Sequence, residues 1–297
     1  MVSSKAKYIV VGSITLAALV AAVFIGLQKD QDQPEHPGKY AVDIITVPPG
    51  GFSYRVSGDF NKANRPVDAP MQQVRFDAPI IIMRNLVSEK DYQLCVNEGG
   101  CKPLAPPVTV RDNFPVVGTS WEDANAYANW LSQKTGQTWR LPTDEEWAYA
   151  AGSKFHDDAL GLPEDADFSQ RWIARYDQEA ALQIEKDQQP KPVGSYGENE
   201  NGIADMSGNV WEWTDTCYIR HNLNADGSPV NEPFYICGVR IAEGLHRAYV
   251  SDFIRDARGG GCAVGIPPSN LGIRLVRSDT PSAMNRLKRL LRRQESR

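Results

Sequence analysis

Histidine and cysteine are scarce in this sequence, which has four histidines and five cysteines in 297 residues. So few histidines leave little room for a catalytic metal centre built from imidazole ligands. The cysteines form no CxxC pair and show no paired metal-ligand spacing, so a structural zinc site has no support either. The four histidines are His36, His156, His221 and His246.

An excess of basic charge is also lacking. The chain has 32 Lys or Arg residues against 37 Asp or Glu residues, for a formal net charge of −5, which argues against nucleic acid as a partner. Hydrophobic residues make up 41% and charged residues 23%, which is typical of a globular protein. This composition excludes wholesale disorder, and the length allows one large or two small domains at ~150 residues each.

The charge is unevenly distributed along the chain. The last twelve residues, 286–297, carry six Lys or Arg side chains and a single glutamate. We therefore predict a basic C-terminal tail over residues 280–297. Leu287, Leu290 and Leu291 would share one side of a helix there, which suits contact with a membrane surface or an acidic partner. A solvated helix without a partner is the alternative.

Residues 8–27 form a run of twenty positions without a charge. This is about the length that a helix needs to cross a ~30 Å hydrocarbon core. Lys5 and Lys7 precede the run, so the positive-inside rule predicts a cytoplasmic segment 1–7 and an exported body. We favour an uncleaved single-pass anchor in the inner membrane. A signal peptide, cleaved to release the body into the periplasm, is the alternative.

Residues 28–40 are largely polar, contain two prolines and are expected to form a linker. All five cysteines follow it, and export to an oxidising compartment favours disulfides. Cys95 and Cys101 bracket a diglycine, and Cys217 and Cys237 flank a polar insert, so we pair each couple locally. The spacing alone leaves the connectivity open. Cys262 then remains a free thiol, which is either catalytic or simply buried.

Helix signals are clearest in the first half of the body. Ser120 can cap a helix that ends at Gly136, and Thr143 with Glu146 three residues later matches a capping box. Residues 88–96 form a shorter helix candidate, and strand-like runs occupy 52–56 and 72–83. Beyond Gly152 the pattern weakens, and long loops with small helical pieces are expected. These features predict an irregular, loop-rich α+β fold.

Three sequence blocks carry a family resemblance. Residues 115–151 read PVVGTSWEDANAYANWLSQKTGQTWRLPTDEEWAYAA, residues 192–214 read PVGSYGENENGIADMSGNVWEWT, and residues 270–277 read NLGIRLVR. In this order the blocks resemble the formylglycine-generating enzyme family, the sulfatase-modifying factors and their relatives. The resemblance covers the exported body, so we assign one domain to residues 41–279. It implies a fold similar to a C-type lectin domain.

The family resemblance implies an O2-dependent oxidoreductase if the chain is an enzyme. Sulfatase-activating members oxidise a target cysteine to formylglycine with a cysteine pair that binds copper, because soft thiolates select Cu(I). In our alignment the two cysteine positions fall on Leu245 and Val250, so copper is not expected. Iron is not expected either, because the iron-dependent branch draws histidines from a helical domain that this chain lacks.

Other positions of the family's sites are filled. His246, Arg247 and Tyr249 match the reaction centre, where His246 acts in proton transfer or is a structural histidine. Trp211 either belongs to the core or floors a substrate cleft. The same cleft would be lined by Arg255 and Arg258, unless these arginines only fix loops through ion pairs.

A structural calcium site is also implied by the resemblance. Its ligands would come from alternating positions that follow an aspartate, since Ca²⁺ takes carboxylate and carbonyl oxygens. A solvated turn capped by the aspartate is the alternative. The matching residues are Asp205, Gly208, Val210 and Glu212.

The anchor and the chain's ending look most like the exported accessory proteins encoded beside copper nitrite reductases. The expected function is therefore maturation of, or assistance to, an exported metalloenzyme such as copper nitrite reductase. Two alternatives stay open. One is an oxidoreductase that acts on a protein cysteine or on a peptide or siderophore precursor, as in pyoverdine maturation. The other is a non-catalytic, lectin-like binding module.

Overall fold

The computed structural model describes residues 38–104, 109–182, 189–252 and 270–278. The chain divides into two compact units, Met1–Tyr40 and Ala41–Arg297, and nearly all of the first lies outside the described residues. The predicted membrane span 8–27 and the tail 280–297 also lie outside them and stay predictions. Where the structure is described, no helix combines the length and the apolar character that crossing a bilayer requires.

Helices and strands mix along the described parts of the chain, which makes the fold α+β. The helices are α1 (Glu89–Asn97), α2 (Trp121–Thr135), α3 (Asp144–Ala151) and α4 (Phe168–Leu182), with a 3-10 turn at Gly152–Lys154. The strands are β1 (Ile44–Val47), β2 (Gly50–Arg55), β3 (Asp59–Lys62), β4 (Arg65–Val67), β5 (Met71–Phe76), β6 (Ile80–Met83), β7 (Thr138–Arg140), β8 (Trp211–Leu223), β9 (Phe234–Glu243), β10 (Ala248–Ser251), β11 (Leu271–Gly272) and β12 (Val276–Ser278).

The strands form three sheets. One sheet has the order β1-β6-β12-β7, a second has the order β10-β9-β8-β3-β4 with β11 beside β8, and β2 pairs with β5. Most neighbours are antiparallel, but β3 and β11 each run parallel to β8. Strand β12, near the end of the described chain, inserts between β6 and β7, so distant segments must meet before the first sheet is complete.

The predicted helices are confirmed together with their caps. Ser120 and Asp123 form a capping box at the start of α2, and Gly136 ends the helix in the left-handed conformation. Thr143 and Glu146 form a second capping box at α3. Ser88 caps α1 through its side chain. Each helix therefore starts where a side-chain oxygen is available for the free N–H groups of the first turn.

The region beyond Gly152 is more regular than the sequence predicts. Helix α4 has 15 residues, and the antiparallel strands β8 and β9 have 13 and 10 residues. The expectation of long loops is confirmed for residues 189–210, which form no helix or strand, but it is wrong for residues 211–243. There β8 lies inside a sheet, where pairing with β3, β9 and β11 compensates for a weak alternating pattern.

One core cluster packs α3 against the first sheet. Trp147 of α3 is fully buried with Ile82 of β6, Val276 of β12 and the loop residues Ile203 and Met206. Both predicted disulfides, Cys95–Cys101 and Cys217–Cys237, are present. The first closes the end of α1, and the second links β8 to β9, so each disulfide holds a local hairpin of chain.

Candidate functional site

The chain reverses direction between β9 and β10. His246 and Arg247 lie in this turn, and Tyr249 lies just after it in β10. Ala248 pairs with Ala242, and Tyr249 pairs with Ile241, so residues 244–247 form the reversal. Arg247 and Tyr249 are two residues apart and reach the same partner, Asp158. His246 instead contacts the Trp211 ring and the backbone carbonyl of Arg247. The structure therefore brings the side chains of Arg247 and Tyr249 together at one carboxylate.

Arg247 lies at the centre of a buried ionic cluster. Its Nε donates to Glu243 at 2.8 Å, one terminal nitrogen donates to Asp158 at 2.9 Å, and the other lies 3.2 Å from Asp144. The side chains of Arg247 and Asp144 are 0% exposed, and that of Glu243 is 1% exposed. The remaining donor capacity goes to the backbone carbonyl of Arg55 at 3.2 Å. One cation thus faces three carboxyl groups in an interior site.

Two tyrosines complete this cluster. The Tyr54 hydroxyl donates to Asp144, and the Tyr249 hydroxyl donates to Asp158. Burial, and then the adjacent carboxylate charge, raise the pKa of each phenol well above its ordinary value, so both remain donors. The Arg247 guanidinium also lies 5.5 Å from the ring centroids of Tyr54 and Phe155, within cation–π range.

Asp144 and Glu243 form an acid pair within the cluster. One oxygen of each, Oδ1 of Asp144 and Oε2 of Glu243, is buried without a donor, although the two carboxyl groups are within hydrogen-bonding reach of each other. Two facing carboxyl groups satisfy both orphan oxygens if they share one proton. Burial and the charge of Asp144 raise the pKa of Glu243 well above its usual value.

The Asp144 carboxyl takes the charged role in this pair. Burial alone would raise its pKa, but the positive charge of Arg247 and hydrogen bonds from Glu243, Tyr54 and Ser57 together lower it. Burial would likewise lower the pKa of Arg247, and the carboxylates around it hold that pKa well above its usual value. The proton therefore resides on Glu243, and Asp144 carries the negative charge.

His246 packs against Trp211. The two rings are 5.3 Å apart in an edge arrangement, and the Trp211 Nε1–H donates to the His246 carbonyl at 3.0 Å. The His246 Nδ1 lies 2.9 Å from the Arg247 carbonyl. Gly244 allows this packing, because a Cβ there would lie 2.7 Å from Cδ1 of the Trp211 ring. Trp211 is partly buried rather than a core residue like Trp213, which is 0% exposed.

The residues that the sequence resemblance aligns with the family's copper-binding cysteines do not fit a copper ion. Leu245 and Val250 have aliphatic side chains without a ligand atom, and Val250 is buried. The four cysteines among the described residues are all in disulfides. Within the same residues, no group of three or more His, Cys, Asp or Glu side chains is arranged to hold a metal ion. The described site therefore supports no step through a thiolate-bound metal.

The predicted calcium residues have other contacts. Asp205 accepts backbone N–H groups from Gly194 at 2.7 Å and Tyr196 at 2.8 Å. Both oxygens of Glu212 accept from Arg274 at 2.8 Å, and one also accepts from the indole of Trp147 at 2.7 Å. A calcium ion held by these two carboxylates would have to displace those donors. As they stand, these carboxylates are engaged by protein donors with which an ion would have to compete.

Arg274 is a buried cation that pairs with Glu212. Besides the two-point pairing with the Glu212 carboxylate, its guanidinium donates to the backbone carbonyls of Met83, Arg84 and Ala204 at 2.7–3.1 Å. The Arg274 side chain is 0% exposed and that of Glu212 is 1% exposed. The NLGIRLVR block thus supplies a cation that ties β6, β8 and the loop before β8 together.

Three predicted site residues, Arg255, Arg258 and Cys262, lie outside the described residues. Sequence reasoning missed several groups that the structure brings to Arg247. Glu243 carries a signal, because it precedes Arg247 by four residues on one hairpin. Asp144, Asp158 and Tyr54 come from distant segments, and only their tertiary contacts reveal them.

The family is established by comparison with known proteins. Residues 29–279 match the family described as "Sulfatase-modifying factor enzyme 1-like domain". The chain belongs to this sulfatase-modifying factor family. The resemblance carried by the three sequence blocks is thereby confirmed, and the α+β fold, with its two disulfides, is the form that the family's domain takes here.

Formylglycine-generating enzymes are among the sulfatase-modifying relatives. The Streptomyces coelicolor enzyme is 34% identical over 110 residues, covering 36% of this chain and 33% of that protein. The Mycobacterium tuberculosis enzyme is 37% identical over 118 residues, with coverage of 38% and 36%. The Bos taurus protein "Inactive C-alpha-formylglycine-generating enzyme 2" is 33% identical over 131 residues, with coverage of 39% and 38%. The alignments span about a third of these relatives' lengths.

A solved structure shows the same fold. The structure of PvdO from Pseudomonas aeruginosa superposes with a TM-score of 0.54 at 22% identity, covering 81% of this chain and 95% of that chain. At this identity the likeness concerns the fold alone. It agrees with the mixed arrangement of helices and strands found in the described residues of the body.

Proposed function

We propose that this family member is an exported maturation or accessory factor for a metalloenzyme, without the copper-dependent formylglycine chemistry. The observation that carries the proposal is the replacement of both copper-binding positions by Leu245 and Val250. The described cysteines supply no substitute pair, since all are in disulfides. A carbon side chain cannot form the thiolate that Cu(I) requires.

The buried cluster around Arg247 supports the same proposal. In this turn the arginine is enclosed by carboxyl groups and aromatic rings rather than exposed to a substrate. The Bos taurus relative is an example of a similar protein that is named as an inactive formylglycine-generating enzyme. We propose the same lack of formylglycine-generating activity for this chain. Copper nitrite reductase is the candidate partner, and nucleic acid is not expected as a partner.

Export is the second part of the proposal. The uncharged run 8–27, preceded by Lys5 and Lys7, would anchor the chain in the inner membrane with its body in the periplasm. Disulfide formation favours an oxidising compartment. The cleaved, released form is the alternative. Fusion of alkaline phosphatase after residue 278 would be active if the body is exported, and the size of the fusion would show whether residues 1–27 are retained.

A copper titration tests the missing chemistry. The full chain should fail to compete with a Cu(I) chelator, whereas Leu245→Cys/Val250→Cys should acquire Cu(I) binding if the scaffold otherwise retains the family's geometry. Leu245→Ser/Val250→Ser is the matched control, because it changes polarity without adding a soft ligand. Tight Cu(I) binding by the unchanged chain would refute the proposal.

An oxidoreductase is the second candidate function. The observation that favours it is His246, whose ring lies beside Trp211 at the turn that matches the family's reaction centre. The substrate would be a protein cysteine or a peptide or siderophore precursor. Incubation with a cysteine-containing sulfatase peptide in air should then give an aldehyde product and O2 uptake, both lost in His246→Ala. A lectin-like binding module would give neither.

Calcium binding remains a separate proposal. The carbonyl oxygens of Gly208 and Val210 and the carboxylates of Asp205 and Glu212 are the candidate ligands, and an ion would have to compete with their present donors. Ligand binding to the folded state raises thermal stability. A melting temperature that rises with Ca²⁺ and falls with a chelator, with no response to Mg²⁺, would support the site. An unchanged melting temperature would remove it.

A further inference from the structure

Helix α4 displays an apolar face to solvent. Four large apolar side chains within nine residues are more than half exposed: Phe168 at 73%, Trp172 at 61%, Ile173 at 53% and Tyr176 at 58%. Phe168, Trp172 and Tyr176 recur every four residues, so they form one stripe along the helix. The rings of Trp172 and Tyr176 stack at a centroid distance of 6.0 Å. Exposed aromatic surface of this kind marks interaction sites.

The body fixes this helix with the aromatic stripe outward. Arg171, on another side of α4, is buried and pairs with Asp68 at 2.5 Å. Ahead of the helix, Glu164 pairs with Lys62 of β3 at 2.7 Å. Asp167 caps the first turn by accepting the Gln170 N–H at 2.8 Å. Rotation of α4 to bury the stripe would break the Arg171 ion pair, so the exposed face is a set feature of the fold.

We propose that the aromatic stripe of α4 contacts the surface of the bilayer that carries the N-terminal anchor. This inference rests on the proposed anchoring by residues 8–27. The linker 28–40 spans at most ~45 Å when fully extended, so an anchored body stays close to the membrane. Trp and Tyr side chains favour the interface between hydrocarbon and water, where the ring is buried and the polar edge stays hydrated.

The charges beside the stripe define the kind of membrane surface. Arg175 follows Trp172 by three residues and can reach a lipid phosphate, but Asp167 and Asp177 also border the helix face. This mixed charge gives little attraction to anionic lipids. Contact should therefore arise from burial of the aromatic rings, occur on zwitterionic phosphatidylcholine, and depend little on salt.

Lipid quenching of tryptophan tests the contact in the full chain. All seven tryptophans lie in the described body, none lies in residues 8–27, and only Trp172 is exposed. With the chain reconstituted in phosphatidylcholine vesicles, lipids with brominated acyl chains should quench the fluorescence, and Trp172→Phe should lose most of that quenching. Phe234→Ser, which removes an exposed aromatic outside α4, should retain it.

Separate outcomes distinguish this inference from the proposed anchoring. A chain that resists alkaline carbonate extraction but shows no bromolipid quenching, or quenching that persists in Trp172→Phe, overturns the α4 contact and leaves the anchor intact. A chain that carbonate extracts overturns the anchor. In that case, vesicles with brominated lipids are added to the extracted full chain. Quenching that is lost in Trp172→Phe supports a membrane contact that does not need the anchor, and the absence of quenching overturns the inference.

Discussion

The role assigned to Arg247 depends on the residues that surround it in the folded chain. In the motif it stands beside a candidate catalytic histidine, but in the structure its guanidinium is enclosed by Asp144, Asp158 and Glu243. A buried cation of this kind is costly unless its donors are paired. The cluster pairs this cation with three carboxyl groups. Because Glu243 is protonated, the negative charge around Arg247 is reduced.

The shared proton predicts a specific pH dependence. A raised folded-state pKa at Glu243 contributes stability that is complete below its unfolded pKa of ~4.3 and is lost as pH rises through the folded pKa. Glu243→Gln removes this titration but keeps the shape and a donor toward Asp144. The stability advantage of the native chain over Glu243→Gln should therefore fall by up to ~1.4 kcal/mol per pH unit above pH ~5. Urea unfolding at several pH values measures it.

The opposite behaviour is expected of the second carboxyl. The pKa of Asp144 is lowered, so its contribution is present above the unfolded pKa and is lost as pH falls. Asp144→Asn leaves Arg247 without its principal charge partner and should cost ~3 kcal/mol or more at neutral pH. Equal stability and parallel pH profiles for Asp144→Asn and Glu243→Gln would contradict the assignment of the proton.

Gly244 offers a second test at the scale of one residue. A Cβ at this position would lie 2.7 Å from the Trp211 ring, so Gly244→Ala should displace the indole and break its bond to the His246 carbonyl. We expect a loss of ~1–3 kcal/mol and an altered tryptophan emission. Gly238→Ala, in the adjoining strand β9, is the matched control, because no atom lies within 4 Å of its added Cβ. Similar effects from both would refute the contact.

Among the elements, helices α1 to α3 were predictable, whereas α4 and the long β8–β9 hairpin were not. The ends of α2 and α3 follow from local chemistry, since Ser120 and Thr143 supply oxygens to the first turn. The length of β8 and β9 depends on pairing with strands far away in sequence, including β3 and β11. An alternating sequence pattern predicts which face of a strand is buried, but it does not predict which strand pairs with it.

The two disulfides should stabilise their elements unequally. Cys217–Cys237 has a sequence separation of 20 and Cys95–Cys101 of 6, and loop-closure entropy grows with the length of the closed loop. On this basis Cys217→Ser/Cys237→Ser should lose ~3 kcal/mol, and Cys95→Ser/Cys101→Ser should lose ~2 kcal/mol. Guanidinium unfolding of the two variants gives the comparison. A larger loss for the shorter loop would show that contacts, not chain entropy, dominate.

At the scale of the whole molecule, Arg274 joins segments that are far apart in the chain. It contacts Glu212 of β8, the carbonyls of Met83 and Arg84 at β6, and the carbonyl of Ala204. Trp147 of α3 donates to the same Glu212 carboxylate. One buried ion pair therefore joins both major sheets and a helix.

Breaking this pair from one side should be strongly destabilising. Arg274→Met leaves the buried Glu212 carboxylate without its cation, and we expect a loss of ~3–5 kcal/mol. Arg274→Met/Glu212→Gln removes the stranded charge and should be clearly less destabilised than the sum of the single variants. Thermal or urea unfolding of the four proteins forms a double-mutant cycle. Simple additivity would contradict a direct coupling between the two side chains.

The sequence by itself determined the family and the caps of α1 to α3, because each depends on residues close together in the chain or on a recognisable motif. It favoured the local cysteine pairs, but their connectivity was decided by the structure. The sequence also predicted that Leu245 and Val250 replace the family's copper-binding cysteines. Only the tertiary structure decided that Asp144, Asp158 and Tyr54 surround Arg247, and that Glu212 meets Arg274. These contacts join residues tens to more than a hundred positions apart, and their charge balance arises from burial that no local pattern encodes.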